Sequence, residues 1–179
     1  MKDSKRFSKF LSLVLRHRPE LIQLKLDGEG WADVSDVLTG AKGKGFDVDA
    51  ADLAEVVATC DKQRYALSGD GTRIRANQGH SVKVDLALAP VAPPEELFHG
   101  TVDRFLDSIR HHGLQKRGRQ HVHLSKDRVT ATAVGNRRGS AVLLVIDAAG
   151  MSAAGHLFYC SANGVWLVDA VPPEFISGL

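Results

Sequence analysis

The chain has 179 residues, of which 44% are hydrophobic and 25% charged, and a formal net charge of +2. This length allows one large core or two modest lobes, and the composition is that of an ordinary folded protein rather than a disordered one. The small net charge argues against nucleic-acid binding through bulk charge alone, so any anion site has to come from local clustering of basic side chains.

The first third of the chain carries the apolar spacing of three helices. Pro19 stops the first helix, which is predicted from about residue 4 to residue 16, and the glycines of GAKGKG close the second. Asp49 or Asp52 can cap the third. The predicted buried positions are Phe7, Phe10, Leu11, Val14 and Leu15, then Trp31, Val34, Val37 and Leu38, then Leu53, Val56, Val57 and Cys60.

A hairpin and a linker follow these helices. RYALSGDGTRIRA contains two alternating stretches around Gly69, Asp70 and Gly71, the pattern of a β-hairpin. Three helices followed by a hairpin is the element order of a winged-helix module, which we expect over residues 1–88. Residues 87–96, ALAPVAPPEE, contain three of the six prolines and indicate a semi-rigid linker or lobe boundary.

Strand patterns dominate the remainder of the chain. ELFHGT, QHVHLS, SAVLLVID and GVWLVDAV are predicted as strands, and VDRFLDSIRHHG and DRVTATAVGN as helices. The second lobe, residues 89–179, is therefore expected to be rich in sheet, which gives the chain an α+β fold.

Several patterns bear on location. Cys60 and Cys160 are a hundred residues apart with no CxxC pair, which suits free thiols in a reducing cytosol. The apolar run FLSLVL is short and has no cleavage site, so no signal peptide is predicted. AVLLVI, the longest strongly apolar run, is far too short to span a bilayer. We expect a cytoplasmic protein.

Common phosphate and metal motifs are absent from the sequence. GAKGKGF lacks the spacing of a phosphate-binding loop, and neither GxGxxG after a strand nor HExxH occurs. His121 and His123 would share one face of a strand, but nothing supplies the carboxylates or thiolates that complete most zinc sites. Metal-free chemistry is the prediction.

Basic and protonatable residues stand where elements end. Arg16 and His17 close the first helix, Arg64 precedes the hairpin, and Arg119 lies in KRGRQHVHLS. Each one alone can be a solvated surface charge. Together they suggest an anion clamp, because guanidinium groups bind phosphate oxygens in pairs.

Six segments extend this pattern over nearly the whole chain: LRHRP, KQRYAL, IRANQGHS, LFHGT, RGRQHVHLS and NGVWLVDAVPPEFI. In this order they resemble the NAD-dependent tRNA/RNA 2′-phosphotransferases. The resemblance implies an N-terminal winged-helix RNA lobe and a C-terminal lobe of the ADP-ribosyltransferase fold that binds NAD+. It also implies a substrate RNA with a 2′-phosphate, such as the splice-junction phosphate of tRNA, and we expect a monomer.

The reaction that this resemblance implies has two steps. The RNA 2′-phosphate first attacks the anomeric carbon of the nicotinamide ribose and expels nicotinamide. The 2″-hydroxyl of that ribose then attacks the phosphorus, which frees 2′-hydroxyl RNA and ADP-ribose 1″,2″-cyclic phosphate.

The family's catalytic set maps onto Arg16, His17, Arg64 and Arg119. A dianionic phosphate must be oriented and stabilised as its charge moves, which is work for fixed guanidinium groups. Only His17 exchanges a proton near neutral pH, so its predicted role is to protonate the departing RNA 2′-oxygen or to hold the phosphate.

The resemblance implies two binding sets as well. RNA or its phosphates would be bound by Arg75, Asn77, Gln78, His80 and Ser81, unless IRANQGHS is only the outgoing hairpin strand and its turn. In the HGT element a histidine would hold a ribose hydroxyl and a glycine backbone the nicotinamide amide, and the HLS strand would lie near the nicotinamide ribose. The NAD+ residues are therefore His99, Gly100, Thr101, His123 and Ser125.

One departure separates the chain from classical ADP-ribosyltransferases. They carry a glutamate near the anomeric carbon, whereas GVWLV offers only apolar residues, with Val165 as the counterpart. A carboxylate there would repel an incoming phosphate. Two other functions stay open: an ADP-ribosyltransferase that caps terminal phosphates of RNA or DNA, and a non-enzymatic winged-helix regulator that binds nucleic acid and senses a nucleotide.

Overall fold

The structure is a computed structural model that describes residues 4–179. The chain divides into two compact units, Met1–Ala87 (unit 1) and Leu88–Leu179 (unit 2). Both mix helices with antiparallel strands, so the predicted α+β class is confirmed at that level. Over residues 4–179, no helix has the length and apolar character needed to cross a membrane.

Unit 1 contains the three predicted helices and the predicted hairpin. The helices are α1 (Ser4–Arg16), α2 (Val34–Lys42) and α3 (Ala50–Ala58). The strands are β1 (Ala32–Asp33), β2 (Tyr65–Leu67) and β3 (Arg73–Ala76), and they form an antiparallel sheet in the order β1-β3-β2.

The unit 1 core lies under the apolar stripe of α1. Phe7, Leu11, Val14 and Leu15 are all buried, as predicted from their spacing. Helix α3 begins with the predicted cap, because the Asp49 carboxylate accepts a hydrogen bond from the Asp52 amide at 2.9 Å and the Asp52 carboxylate accepts one from the Asp49 amide at 3.3 Å.

Helix α1 ends at Arg16, before Pro19, as predicted; the turn that follows was not predicted, and the start of α2 differs from the prediction. Pro19 begins a short 3-10 turn, Pro19–Ile22, because its fixed φ suits the first position of such a turn. Helix α2 begins at Val34 rather than near Trp31, and it continues through Gly40. At Gly40 a Cβ would lie only 2.5 Å from Cβ of Ile22, so the missing side chain lets the turn pack against the helix.

Unit 2 is rich in short strands. Its helices are α4 (Leu106–His112), α5 (Arg128–Gly135) and α6 (Ala148–Ala153), with 3-10 turns at Asp103–Phe105 and Pro173–Phe175. Its strands are β4 (Glu96–Val102), β5 (Leu114–Gln115), β6 (Val122–Leu124), β7 (Ala141–Asp147), β8 (Tyr159–Cys160), β9 (Trp166–Val168), β10 (Ala170–Val171) and β11 (Ile176–Ser177).

These strands form two three-stranded antiparallel sheets, ordered β11-β7-β4 and β6-β9-β8, and a small β10-β5 pair. The longest ladder joins β4 to β7 over seven residue pairs, from Glu96 opposite Asp147 to Val102 opposite Ala141. A bridge between Phe98 and Ser125 connects the end of the β6 segment to β4. Helix α6 was not predicted, since AAGMSA has no amphipathic period.

Helix α5 packs closely on β4 through glycines. A Cβ on Gly100 would lie 1.8 Å from the Ala131 carbonyl oxygen, and one on Gly135 would lie 3.0 Å from the Thr101 carbonyl oxygen. Backbone therefore meets backbone, and neither position has room for a side chain. The glycine of the HGT element has a packing role that is independent of any ligand.

We expect Gly100→Ala to destabilise unit 2 by about 3 kcal/mol, because α5 must move away from β4 to admit the methyl group. Urea unfolding of the variant would measure the loss. Gly118→Ala is the matched control, since nothing lies within 4 Å of the Cβ it would add. Equal stability of the two variants would contradict this close packing.

Candidate functional site

In unit 1, the end of α1 and the start of β2 are held together around basic side chains. Arg16 is the last residue of α1, and Arg64 directly precedes β2. Arg16 Nη2 donates a hydrogen bond to the Arg64 carbonyl oxygen at 3.3 Å. The Arg64 guanidinium donates to Cys60 Sγ at 3.4 Å and has no carboxylate partner within residues 4–179.

Ser81 fixes the end of α1 and the histidine that follows it. Its amide donates to the Arg16 carbonyl oxygen at 2.9 Å, and its hydroxyl lies 2.9 Å from His17 Nδ1. With Nδ1 engaged by the hydroxyl, Nε2 is the ring nitrogen suited to exchange a proton with a substrate. The structure therefore brings the predicted residues Arg16, His17 and Ser81 together.

Asn77 makes the corresponding connection at Arg64. Its amide donates to the Arg64 carbonyl oxygen at 2.9 Å, and its side-chain Nδ2 donates to the Gln63 carbonyl oxygen at 2.6 Å. Gln63 has a positive φ of 41°, a conformation that needs outside support in a residue other than glycine. Asn77 is buried, so its visible role is to hold the backbone that carries Arg64.

His80 lies inside unit 1, with 1% of its surface exposed, and neither ring nitrogen has a hydrogen-bond partner within the described residues. Its pKa is lowered to about 4, first by burial and then by the positive charges of Arg16, His17 and Arg75. The imidazole is therefore neutral at physiological pH. In the structure His80 is a buried side chain close to Arg16, His17 and Arg75. Direct contact between His80 and RNA stays a prediction.

The other two predicted RNA residues lie nearer the surface. Arg75 is half-buried, lies 4.6 Å from the centre of the Trp31 ring and pairs with Glu29 at 3.6 Å. Gln78 is also half-buried. RNA contact by either residue stays a prediction. Arg18, next to the cluster, pairs with Glu20 on the surface.

Unit 2 brings together the histidines of the predicted NAD+ set. His99 Nδ1 donates to the His123 carbonyl oxygen at 3.1 Å, and Ser125 is paired with Phe98, the residue before His99. Burial lowers the pKa of His99, and so do Arg138 and Arg119, against the opposing effect of the hydrogen bond to His123. A neutral His99 with Nδ1 as donor presents Nε2 as an acceptor, which suits a ribose hydroxyl.

Arg119 and Arg138 form a pair of cations that sequence reasoning found only in part. Arg119 lies in the loop after β5, and partial burial followed by the charge of Arg138 lowers the pKa of its guanidinium. Arg138 lies just after α5 and was not predicted; the only signal was the doubled arginine of NRRGS. An anion bound beside the Arg119 guanidinium would offset the repulsion from Arg138.

The remaining predicted residues of unit 2 lie close to backbone. Thr101 is buried in β4. Val165 precedes β9 and exchanges hydrogen bonds with Ser161, at 3.0 Å through its carbonyl oxygen and 3.1 Å through its amide. Within residues 4–179, no group of three or more His, Cys, Asp or Glu side chains is arranged to hold a metal ion. Metal-free chemistry stays a prediction.

Comparison with known proteins identifies the family. Residues 2–170 match the RNA 2'-phosphotransferase, Tpt1 / KptA family. The chain belongs to this family. Its relatives include a protein from Hahella chejuensis, named a probable RNA 2'-phosphotransferase, that is 58% identical over 98% of this chain and 95% of its own length. Another, from Nostoc punctiforme, is 51% identical over 98% of both chains.

The buried His80 makes stability depend on pH. Below pH 6.5 the unfolded chain binds a proton at this residue, whereas the folded chain does not until about pH 4. The free energy of unfolding is therefore expected to fall, by on the order of 3 kcal/mol from this residue, as the pH falls through that window.

Urea unfolding of the parent and of His80→Gln across pH 4 to 7 measures this contribution as the difference between the two profiles. The exposed His112→Gln is the matched control and should retain the parent profile. An NMR titration of the His80 ring gives the same answer without a variant. A midpoint near 6.5 would contradict the burial argument.

Proposed function

We propose that this protein removes an internal 2′-phosphate from RNA by transferring it to NAD+, through an ADP-ribosylated 2′-phospho-RNA intermediate. The products would be 2′-hydroxyl RNA, ADP-ribose 1″,2″-cyclic phosphate and nicotinamide. Membership of the RNA 2'-phosphotransferase family supports the removal of a 2′-phosphate from RNA. The use of NAD+ and the intermediate are the finer part of the proposal.

The observation that carries the proposal is that hydrogen bonds connect Arg16, His17 and Arg64 into one cluster. Backbone and side-chain hydrogen bonds from Asn77 and Ser81 hold these residues, so their charges are fixed before a substrate arrives. Preorganised cations stabilise a phosphoryl group without the cost of reorganisation during the reaction. This arrangement suits a dianionic phosphate.

In the first step, an oxygen of the RNA 2′-phosphate forms a bond to the anomeric carbon of the nicotinamide ribose, and the bond from that carbon to nitrogen breaks. Nicotinamide leaves as a neutral molecule, so the step needs little acid or base catalysis. His99 is proposed to hold a ribose hydroxyl through Nε2, and Gly100, Thr101, His123 and Ser125 complete the NAD+ set. An apolar Val165 leaves the approach of the phosphate free of a repelling carboxylate.

In the second step, the 2″-hydroxyl attacks the phosphorus, and the bond from phosphorus to the RNA 2′-oxygen breaks. The departing oxygen needs a proton, which we assign to His17 Nε2, and the base that accepts the proton of the 2″-hydroxyl is left unassigned. Arg64 and Arg119 are proposed to stabilise the charge on the phosphoryl oxygens as the bonds change.

The fold supports the finer parts of the proposal as well. Three helices and an antiparallel hairpin in unit 1 suit a winged-helix RNA lobe, and the paired antiparallel sheets of unit 2 suit an ADP-ribosyltransferase-like NAD+ lobe. A tRNA-like substrate, a cytoplasmic location and a monomeric state remain part of this proposal.

The deciding experiment mixes the protein with NAD+ and a short RNA that bears one internal 2′-phosphate. Nicotinamide, ADP-ribosylated RNA and the cyclic phosphate are followed over time. In Arg64→Ala and Arg119→Ala the second step is expected to slow by about 100-fold, so ADP-ribosylated RNA accumulates. The exposed Arg110→Ala is the matched control.

Three other outcomes would contradict the proposal. A parent enzyme that stops at a stable ADP-ribosylated product would be a capping ADP-ribosyltransferase. Binding without nicotinamide release would indicate a regulator. Parent-like kinetics in both arginine variants would remove these residues from the phosphoryl site.

Ser81 is expected to act through His17. Ser81→Ala removes the hydroxyl beside Nδ1 and should slow the second step by about ten-fold, the scale of one hydrogen bond, with the KM for NAD+ retained. Ser81→Thr keeps a hydroxyl and should recover most of the rate. Single-turnover kinetics of both variants test this, and equal rates for the two would show that the hydroxyl has no positioning role.

A further inference from the structure

A groove in unit 1 extends away from Arg64 along one face of α1. It has a volume of about 330 Å³ and is lined by Lys5, Ser8, Lys9, Ser12 and Arg64. We infer that this groove binds the sugar-phosphate backbone of the RNA next to the nucleotide whose 2′-phosphate is removed. The inference rests on the proposed function, since it makes Arg64 the end of the groove at which the reacting phosphate is held.

Helix geometry aligns the lining side chains. Residues 5, 8, 9 and 12 are spaced by three, one and three positions, so they occupy a single face of α1. Lys5 and Lys9 are one turn apart and both exposed. The groove is therefore a row of cations that leads towards a third cation, Arg64.

The charge of this row is not neutralised within the described chain. Helix α1 contains four Lys and Arg residues and no Asp or Glu, and neither Lys5 nor Lys9 has an ion pair within residues 4–179. Several basic side chains elsewhere on the surface do have acidic partners: Arg73 with Asp27, Arg75 with Glu29, Lys116 with Asp169, and Arg128 with Glu96. An anionic ligand would supply what the groove lacks.

The groove is also held in a fixed position relative to Arg64. Tyr65, the next residue along the chain, donates its hydroxyl hydrogen to the Ser8 carbonyl oxygen. The Ser12 hydroxyl lies 2.7 Å from the Tyr65 hydroxyl oxygen and must be the donor there, because the tyrosine hydroxyl has already given its one hydrogen to Ser8. The lysine face of α1 and the strand that follows Arg64 are thus joined, so the backbone positions that carry the three cations keep their spacing.

The chemistry of the lining favours a nucleic-acid backbone. Lysine is a flexible point charge that contacts phosphate without reading sequence, so the groove would strengthen binding of any flanking RNA. Each phosphate contact releases counterions, so affinity would depend on salt with a slope of about 0.7 per contact for a single strand.

The test compares a 2′-phosphorylated dinucleotide with two octanucleotides, one that extends it on the 5′ side and one that extends it on the 3′ side. In Lys5→Ala/Lys9→Ala, kcat/KM for one octanucleotide is expected to fall about ten-fold further than that for the dinucleotide. Fluorescence anisotropy with the same octanucleotide gives the slope of the logarithm of the association constant against the logarithm of salt concentration. The magnitude of this slope should drop by about 0.7 per lysine. Lys5→Arg/Lys9→Arg should retain the parent behaviour because it retains the charge.

Lys42→Ala/Lys44→Ala is the matched control, since both lysines are exposed at the end of α2, outside the groove. Equal losses for dinucleotide and octanucleotides, or an unchanged salt slope, would overturn the groove. Failure of the parent to process any 2′-phosphorylated RNA would instead overturn the proposed function, and the anisotropy measurement would still decide whether the groove binds RNA.

Discussion

The basic cluster of unit 1 depends on one requirement: the backbone carbonyl at the end of α1 needs a hydrogen-bond donor from outside the helix. The last carbonyls of a helix have no partner within it and must find one elsewhere. At Arg16 that partner is the amide of Ser81, which arrives from the far end of the hairpin. The same segment binds the backbone of Arg64 through Asn77. The satisfaction of ordinary backbone groups thus gathers cations that would otherwise repel one another.

Neutral histidines complete this arrangement in both units. His80 fills the interior beside Arg16 without adding a charge, and His99 is held as a neutral donor to the His123 carbonyl. A buried imidazolium at either position would add to the neighbouring positive charges and would carry a desolvation cost. Neutral His80 and His99 therefore add no positive charge beside the neighbouring arginines.

Sequence patterns predicted the elements that local chemistry determines. The stripe of α1, the Asp49 cap and the hairpin all follow from spacing or turn residues within a few positions. Helix α6 was missed because its six residues are too short to show a period, and its capping by Asp147 depends on the end of β7. The burial of His80 and the approach of Arg138 to Arg119 were missed because they depend on contacts between distant segments.

The close approach of α5 to β4 changes how the HGT motif should be interpreted in other proteins. Gly100 is required by the Ala131 carbonyl, whatever occupies the neighbouring site. A homologue in which the neighbouring site bound no ligand would be under the same pressure to keep this glycine, since the helix would still have to pack on β4. The histidine beside it is held by one hydrogen bond to the His123 carbonyl rather than by contact between backbones, so it is the more informative marker when the activity of a distant homologue is inferred.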